Sequence, residues 1–76
     1  MEKLNELNVI KEYLLTEIDN LKKAQNEETE KAFKGNVSGY VINIIDAKFD
    51  DRINHLKYLL NENLIEIKNI KKNLEK

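Results

Sequence analysis

Apolar residues recur every three or four positions through the first third of the chain. Written as a heptad repeat, the a and d positions hold Leu4, Leu7, Leu14, Ile18 and Leu21. Lys11 and Gln25 are polar interruptions at a positions. This spacing is typical of an amphipathic helix that buries one stripe against a partner. The pattern predicts a first helix from about residue 2 to about residue 33.

A second heptad pattern runs through the C-terminal half. Its a and d positions hold Phe49, Ile53, Leu56, Leu60, Ile67, Ile70 and Leu74. Asn63 is the single polar residue at a d position of this run. The pattern predicts a second helix from about residue 39 to about residue 75, which would be roughly 55 Å long at 1.5 Å per residue.

The strongest break in the pattern lies between the two runs and predicts a loop over about residues 34–38. We expect Gly35 to end the first helix in a left-handed conformation and Ser38 to cap the second. β-Branched residues are frequent over residues 37–45, so a short strand there is an alternative to helix. The chain is predicted to be one domain, residues 1–76, of the all-α class.

Two helices of similar length joined by a short loop are expected to lie antiparallel. Residues that face each other then have numbers adding to about 74 if the loop is centred on Val37. Apolar pairs follow this register along almost the whole hairpin, for example Leu7 with Ile67 and Leu14 with Leu60. We therefore predict two long antiparallel helices that form a helical hairpin, or coiled coil.

The charges favour the same register. Residues 1–30 carry eight acids and four lysines, whereas residues 31–76 carry six acids and nine bases. The expected ion pairs across the hairpin join Glu2 and Glu6 to Lys68, Lys71 and Lys72, Lys22 to Asp50, and Glu17 to Arg52 or Lys57.

The composition excludes several classes of protein. The chain has no Cys, Pro or Trp, two Gly, and one His, so disulfides are excluded and a turn-rich β fold is disfavoured. The sequence contains no nucleophile–base pair and no Gly-rich phosphate loop, so no catalytic residue, cofactor or metal site is predicted. No stretch resembles a signal peptide or a membrane-spanning helix, and the expected compartment is the cytoplasm.

More apolar residues are present than one seam between two helices can cover. Ile10, Leu15, Leu59 and Leu64 widen the stripe on its flanks. The predicted protein interface consists of Tyr40, Val41, Ile44 and Ile45 after the loop, and of Val9, Tyr13, Tyr58 and Ile65 near mid-length. Exposed apolar patches usually mark interaction sites, and so small a domain is marginally stable alone. We therefore expect a homodimer in the form of a four-helix bundle.

The predicted function is non-enzymatic protein–protein interaction, in which the chain docks on a larger protein as an inhibitor or adaptor. Asn, Lys and Ile fill 32 of the 76 positions, and their codons are rich in A and T. This bias suggests an origin in a phage, a plasmid or another mobile element, where a target in the host would be expected.

Two other functions are compatible with the sequence. One is a small dimeric RNA- or DNA-binding regulator of Rop-like architecture, in which Lys57, Lys68, Lys71 and Lys72 would contact phosphates. The other is a self-assembling structural scaffold with no partner beyond copies of itself.

Overall fold

The computed structural model describes residues 2–74 and is all-helical over that range. Helix α1 spans Glu2–Lys34 and helix α2 spans Gly39–Leu74, and the two pack against each other. The all-α hairpin is therefore confirmed. The strand alternative for residues 37–45 is wrong, because α2 already begins at Gly39. The predicted end of the second helix at residue 75 lies outside the described residues.

The molecule is a rod that is two helices wide and one helix thick. Its principal extents are 59 × 15 × 13 Å and its radius of gyration is 17.4 Å. A compact domain of this length would have a radius of gyration of about 11 Å. The shape leaves each helix one neighbour, so only one stripe of each helix is covered.

A Schellman motif ends α1. The amide of Val37 donates to the Ala32 carbonyl at 3.2 Å, and the amide of Asn36 donates to the Phe33 carbonyl at 3.2 Å. Asn36 has a φ of 57°, so it is the left-handed residue that the motif requires. The expectation that Gly35 would take this conformation is wrong, because Gly35 has no positive φ; its amide donates to the carbonyl of Lys31, as within the helix.

Ser38 occupies the position before the first turn of α2. Its carbonyl accepts hydrogen bonds from the amides of Val41 at 3.1 Å and Ile42 at 3.3 Å. A carbonyl that accepts the first helical bonds while its own residue precedes the helix is characteristic of the N-cap position. The turn therefore occupies only residues 35–38.

The apolar core is a narrow seam between the helices. Its buried apolar side chains are Leu7, Leu14, Ile18, Ala32, Phe49, Ile53 and Ile67. Ile18, Phe49 and Ile53 form a central cluster, against which half-buried apolar residues pack. Within residues 2–74, no side chain is less than 2% exposed. Two helices alone cannot enclose a side chain on all sides, and the seam is correspondingly thin.

A polar cluster joins the helices near the loop. The Gln25 side-chain amide donates to the Asp50 carboxylate at 3.0 Å and to the Asp46 carboxylate at 3.4 Å. The Thr29 hydroxyl donates to the same Asp46 carboxylate at 3.2 Å. These bonds connect residues 17 to 25 positions apart. They place the end of α1 level with the start of α2 and thus fix the antiparallel register.

The ion pairs found among residues 2–74 lie within α1. They join Lys23 to Asp19 at 3.1 Å and Lys34 to Glu30 at 3.7 Å, each spaced four residues apart. The ion pairs expected across the hairpin are not formed within the described range. Exposed pairs of this kind contribute only about 0–1 kcal/mol, so the apolar seam and the hydrogen bonds are sufficient to set the register.

Candidate interaction surface

An apolar patch lies around the turn, and we call it the loop-end surface. It consists of Phe33, Val37, Tyr40, Val41 and Ile44. All five are exposed, with Tyr40 at 74% and Ile44 at 52%. Three of them were predicted, whereas Phe33 and Val37 were missed because Phe33 lies at the end of α1 outside the heptad stripe and Val37 lies in the turn.

Ile45 is the predicted interface residue that lies elsewhere. It is half-buried and packs against the cluster of Ile18, Phe49 and Ile53. Its neighbour Ile44 is rotated by about 100° around the helix axis and is 52% exposed. Ile45 therefore contributes to the seam rather than to the exposed surface.

The predicted mid-length residues are exposed but belong to separate edges of the rod. Val9 and Tyr13 on α1 are 69% and 64% exposed, and Tyr58 and Ile65 on α2 are 61% and 46% exposed. Val9, Tyr58 and Ile65 occupy heptad f positions, which face away from the partner helix. The hairpin thus displays two outer apolar edges, one on each helix, and does not join these residues into one patch.

The flanks of the seam are also incompletely covered. Ile10, Leu15, Leu59 and Leu64 are each between 39% and 45% exposed. Residues at the e and g positions of a two-helix pair border its seam, and in a larger bundle they face the neighbouring helices. These four side chains are therefore placed where a further helix would cover them.

Two shallow grooves of opposite charge lie at the open end of the hairpin, where α1 begins and α2 ends. The acidic groove has a volume of about 610 Å³ and is lined by Glu2, Asn5, Glu6, Val9 and Ile10. The basic groove has a volume of about 480 Å³ and is lined by Leu64, Ile67, Lys68, Lys71 and Lys72. Each is lined by residues of one helix and combines apolar with charged side chains.

Three of the four lysines predicted to contact nucleic acid thus line one groove. Lys57 does not, because it precedes Lys68 by three helical turns, or about 16 Å. Within one hairpin the four lysines therefore form a cluster at the open end and a single lysine at mid-length.

Within residues 2–74, no group of three His, Asp or Glu side chains could hold a metal ion. Neither helix has, in that range, a stretch long and apolar enough to cross a lipid bilayer. The exposed groups available for binding are apolar surfaces and the two charged grooves.

Comparison with protein-family models, with curated proteins and with solved structures finds no match to this chain.

Proposed function

We propose that the chain is a non-enzymatic protein-interaction module that docks on a larger cytoplasmic protein as an inhibitor or adaptor. The observation that carries the proposal is the exposure of Tyr40 and Ile44 on one apolar surface at the tip of the rod. Tyrosine is enriched among residues that dominate binding energy, since its ring is large and its hydroxyl can still find a partner.

The position of this surface suits docking. The loop-end surface lies at one tip of a rod 59 Å long, so a partner can bind the tip and leave the sides of the rod free. Burying an exposed aliphatic or aromatic side chain contributes about 1.5–3 kcal/mol. All five residues of the loop-end surface are exposed and available for such burial.

The assembled form that we propose is a dimer of hairpins, which makes a four-helix bundle. The thin seam and the half-exposed flanks support this form, because a second hairpin would supply the neighbours that the flanks lack. Small domains without disulfides or metals often gain stability in this way. A purely self-assembling scaffold would share the bundle but would leave the loop-end surface unused.

Site-specific photo-crosslinking tests the docking proposal. A photo-reactive phenylalanine analogue replaces Tyr40 in one variant and exposed Asn54, distant from the loop, in a control. In cells that produce the protein, we expect one discrete protein adduct from position 40, none from position 54, and its loss in an Ile44→Asp background. Circular dichroism checks that the Ile44→Asp chain keeps its helices.

Other outcomes of this experiment would reject the docking proposal. Adducts only at the mass of two chains would favour the scaffold, and adducts sensitive to ribonuclease would favour RNA binding. An adduct unaffected by Ile44→Asp would show that the loop-end surface does not bind the captured protein.

A second candidate function is nucleic-acid binding, which the clustering of Lys68, Lys71 and Lys72 in one groove favours. Lysines bind phosphates mainly by charge, so their affinity falls steeply with salt. A gel-shift assay at about 50 mM salt, where such contacts are strongest, tests this candidate. A shift that a Lys68→Gln/Lys71→Gln/Lys72→Gln variant loses would support it, and no shift with excess protein would eliminate it.

A further inference from the structure

We propose that a second copy of the chain packs on one particular broad face of the hairpin. Because the helices are antiparallel, the heptad g positions of both lie on one broad face, the g face, and the e positions lie on the other, the e face. Thr29 and Asp50, at e positions of different helices, belong to the same hydrogen-bonded cluster, as this geometry requires. The inference rests on the proposed function, since it assigns the joint of the proposed dimer to the g face.

Both faces have a half-exposed apolar centre, to which each helix contributes one residue. On the g face these residues are Ile10 and Leu59, 45% and 39% exposed, and on the e face they are Leu15 and Leu64, both 44% exposed. The apolar centres are therefore nearly equivalent. What distinguishes the two faces is the charge around each centre.

The charges around the centre of the g face alternate in sign. The g positions one heptad before and after its apolar residues hold Lys3, Glu17, Arg52 and Glu66. Since the helices are antiparallel, Lys3 and Glu66 lie toward the open end, whereas Glu17 and Arg52 lie toward the loop. Like charges thus occupy diagonal corners of the face. None of the four forms an ion pair within residues 2–74.

This alternation makes the g face complementary to itself. If the two-fold axis runs along the rods, the helices exchange places, and Lys3 lies over Glu66 of the second copy. If the axis runs across the rods, the ends exchange places, and Lys3 lies over Glu17 of the second copy. The other charges pair in the same way, each contact occurring twice in a two-fold dimer. Every charge meets an opposite charge in both orientations, which favours association.

The e face repels a second copy in the same two arrangements. The e positions one heptad from its apolar residues hold Asn8, Lys22, Lys57 and Lys71. An axis along the rods places Lys22 over Lys57 of the second copy, and an axis across them places Lys57 over Lys71. The next e position toward the loop holds an acid, Asp50, but its carboxylate accepts a hydrogen bond within the hairpin. Charge therefore selects the g face.

The exposed area of the hairpin is sufficient for one such interface. The chain exposes 5968 Å², whereas a compact monomer of 9.0 kDa would expose about 4,850 Å². The excess of about 1,100 Å² is comparable to the roughly 800 Å² that each partner buries in a stable interface of standard size. Covering one broad face is thus enough to bring the chain to the exposure of a compact protein.

Pairing through the g face leaves the basic groove accessible. The groove includes Leu64 and Lys71, both at e positions, so it lies on the outside of the dimer. A face-to-face dimer carries two such grooves, on opposite sides. Pairing through the e face would cover them instead.

A matched pair of aspartate variants tests which apolar centre is buried. Leu59 and Leu64 lie on the same helix with similar exposure, one on each face. Leu59→Asp should give the single-chain mass in analytical ultracentrifugation, whereas Leu64→Asp should keep the mass of the dimer. Circular dichroism checks that both variants remain helical. The reverse result, or the same mass for both variants, would overturn the inference.

Charge reversal in two steps tests the complementarity itself. Glu17→Lys with Glu66→Lys makes all four charges of the g face positive and should weaken dimerisation about tenfold or more, since like charges then meet. Adding Lys3→Glu and Arg52→Glu to that chain reverses every charge and should restore the dimer. The control, Glu2→Lys with Asp51→Lys, changes net charge equally at exposed f positions and should leave the dissociation constant unchanged.

The outcomes separate this inference from the broader proposals. No recovery in the fourfold variant, although its helices are kept, would overturn pairing through the g face. A dimer that Leu64→Asp alone dissociates would leave the four-helix bundle standing and move its joint to the e face. A single-chain mass for the unchanged protein would reject both the bundle and this inference. The crosslinking at position 40 tests docking on a larger protein independently of all these results.

Discussion

The Asn63 side-chain amide donates a hydrogen bond of 3.1 Å to the backbone carbonyl of Leu7, across the hairpin and 56 residues away in sequence. Asn63 is only 6% exposed, and its Oδ1 has no hydrogen-bond partner among the described residues. It is the buried polar residue of the seam, and a shift of register would break its bond to α1. A polar residue at such a position specifies register at the expense of stability.

Replacing Asn63 with Leu should therefore make the hairpin more stable. The variant removes an unsatisfied buried acceptor, which costs about 1–3 kcal/mol, and the Leu7 carbonyl keeps its bond within the helix. We expect the free energy of unfolding to rise by about 1 kcal/mol in chemical denaturation followed by circular dichroism. A fall of similar size would show that the hydrogen bond outweighs the unsatisfied oxygen.

Truncation in the central cluster should have the largest effect on stability. Ile53 is 4% exposed and packs with Ile18 and Phe49, so Ile53→Ala should cost about 2–5 kcal/mol. The control is Tyr13→Ala, whose side chain is 64% exposed and whose loss should change stability by less than about 0.5 kcal/mol. Equal losses in thermal unfolding of the two variants would contradict the described core.

The turn offers a matched pair of alanine variants. Asn36→Ala places a Cβ-bearing residue without a polar side chain at φ 57°, which should cost about 1 kcal/mol. Gly35→Ala should be neutral or slightly stabilising, because Gly35 has no positive φ and a Cβ there would lie 3.4 Å from the Lys31 carbonyl. The reverse order of the two melting temperatures would place the left-handed residue at Gly35 instead.

The fold could be predicted because its main determinants are local. The heptad spacing of Leu7, Leu14 and Ile18, and the break after Lys34, were enough to predict two helices and their antiparallel packing. The identity of the left-handed residue could not be predicted, because Gly and Asn both tolerate that conformation and stand next to each other at positions 35 and 36.

The interaction surface could be predicted only in part. Tyr40 and Ile44 stand out as apolar residues beyond the stripe, but Ile45 sits one residue away and packs inward. The prediction of ion pairs between the helices was wrong. The register places the charged residues at the same level along the rod, but it does not bring their nitrogen and oxygen atoms within 4 Å of each other. The two grooves depend on how side chains splay at the open end, which periodicity does not determine.

The central claim is that another protein molecule covers the exposed apolar surface of the chain. The mass of the protein in solution tests this claim most directly. Analytical ultracentrifugation should find a species of about 18 kDa, twice the chain mass of 9.0 kDa, that dissociates on dilution. Leu59→Asp should give the single-chain mass while helicity is kept. A mass of 9.0 kDa for the unchanged protein at every concentration, together with no adduct from position 40, would contradict the account.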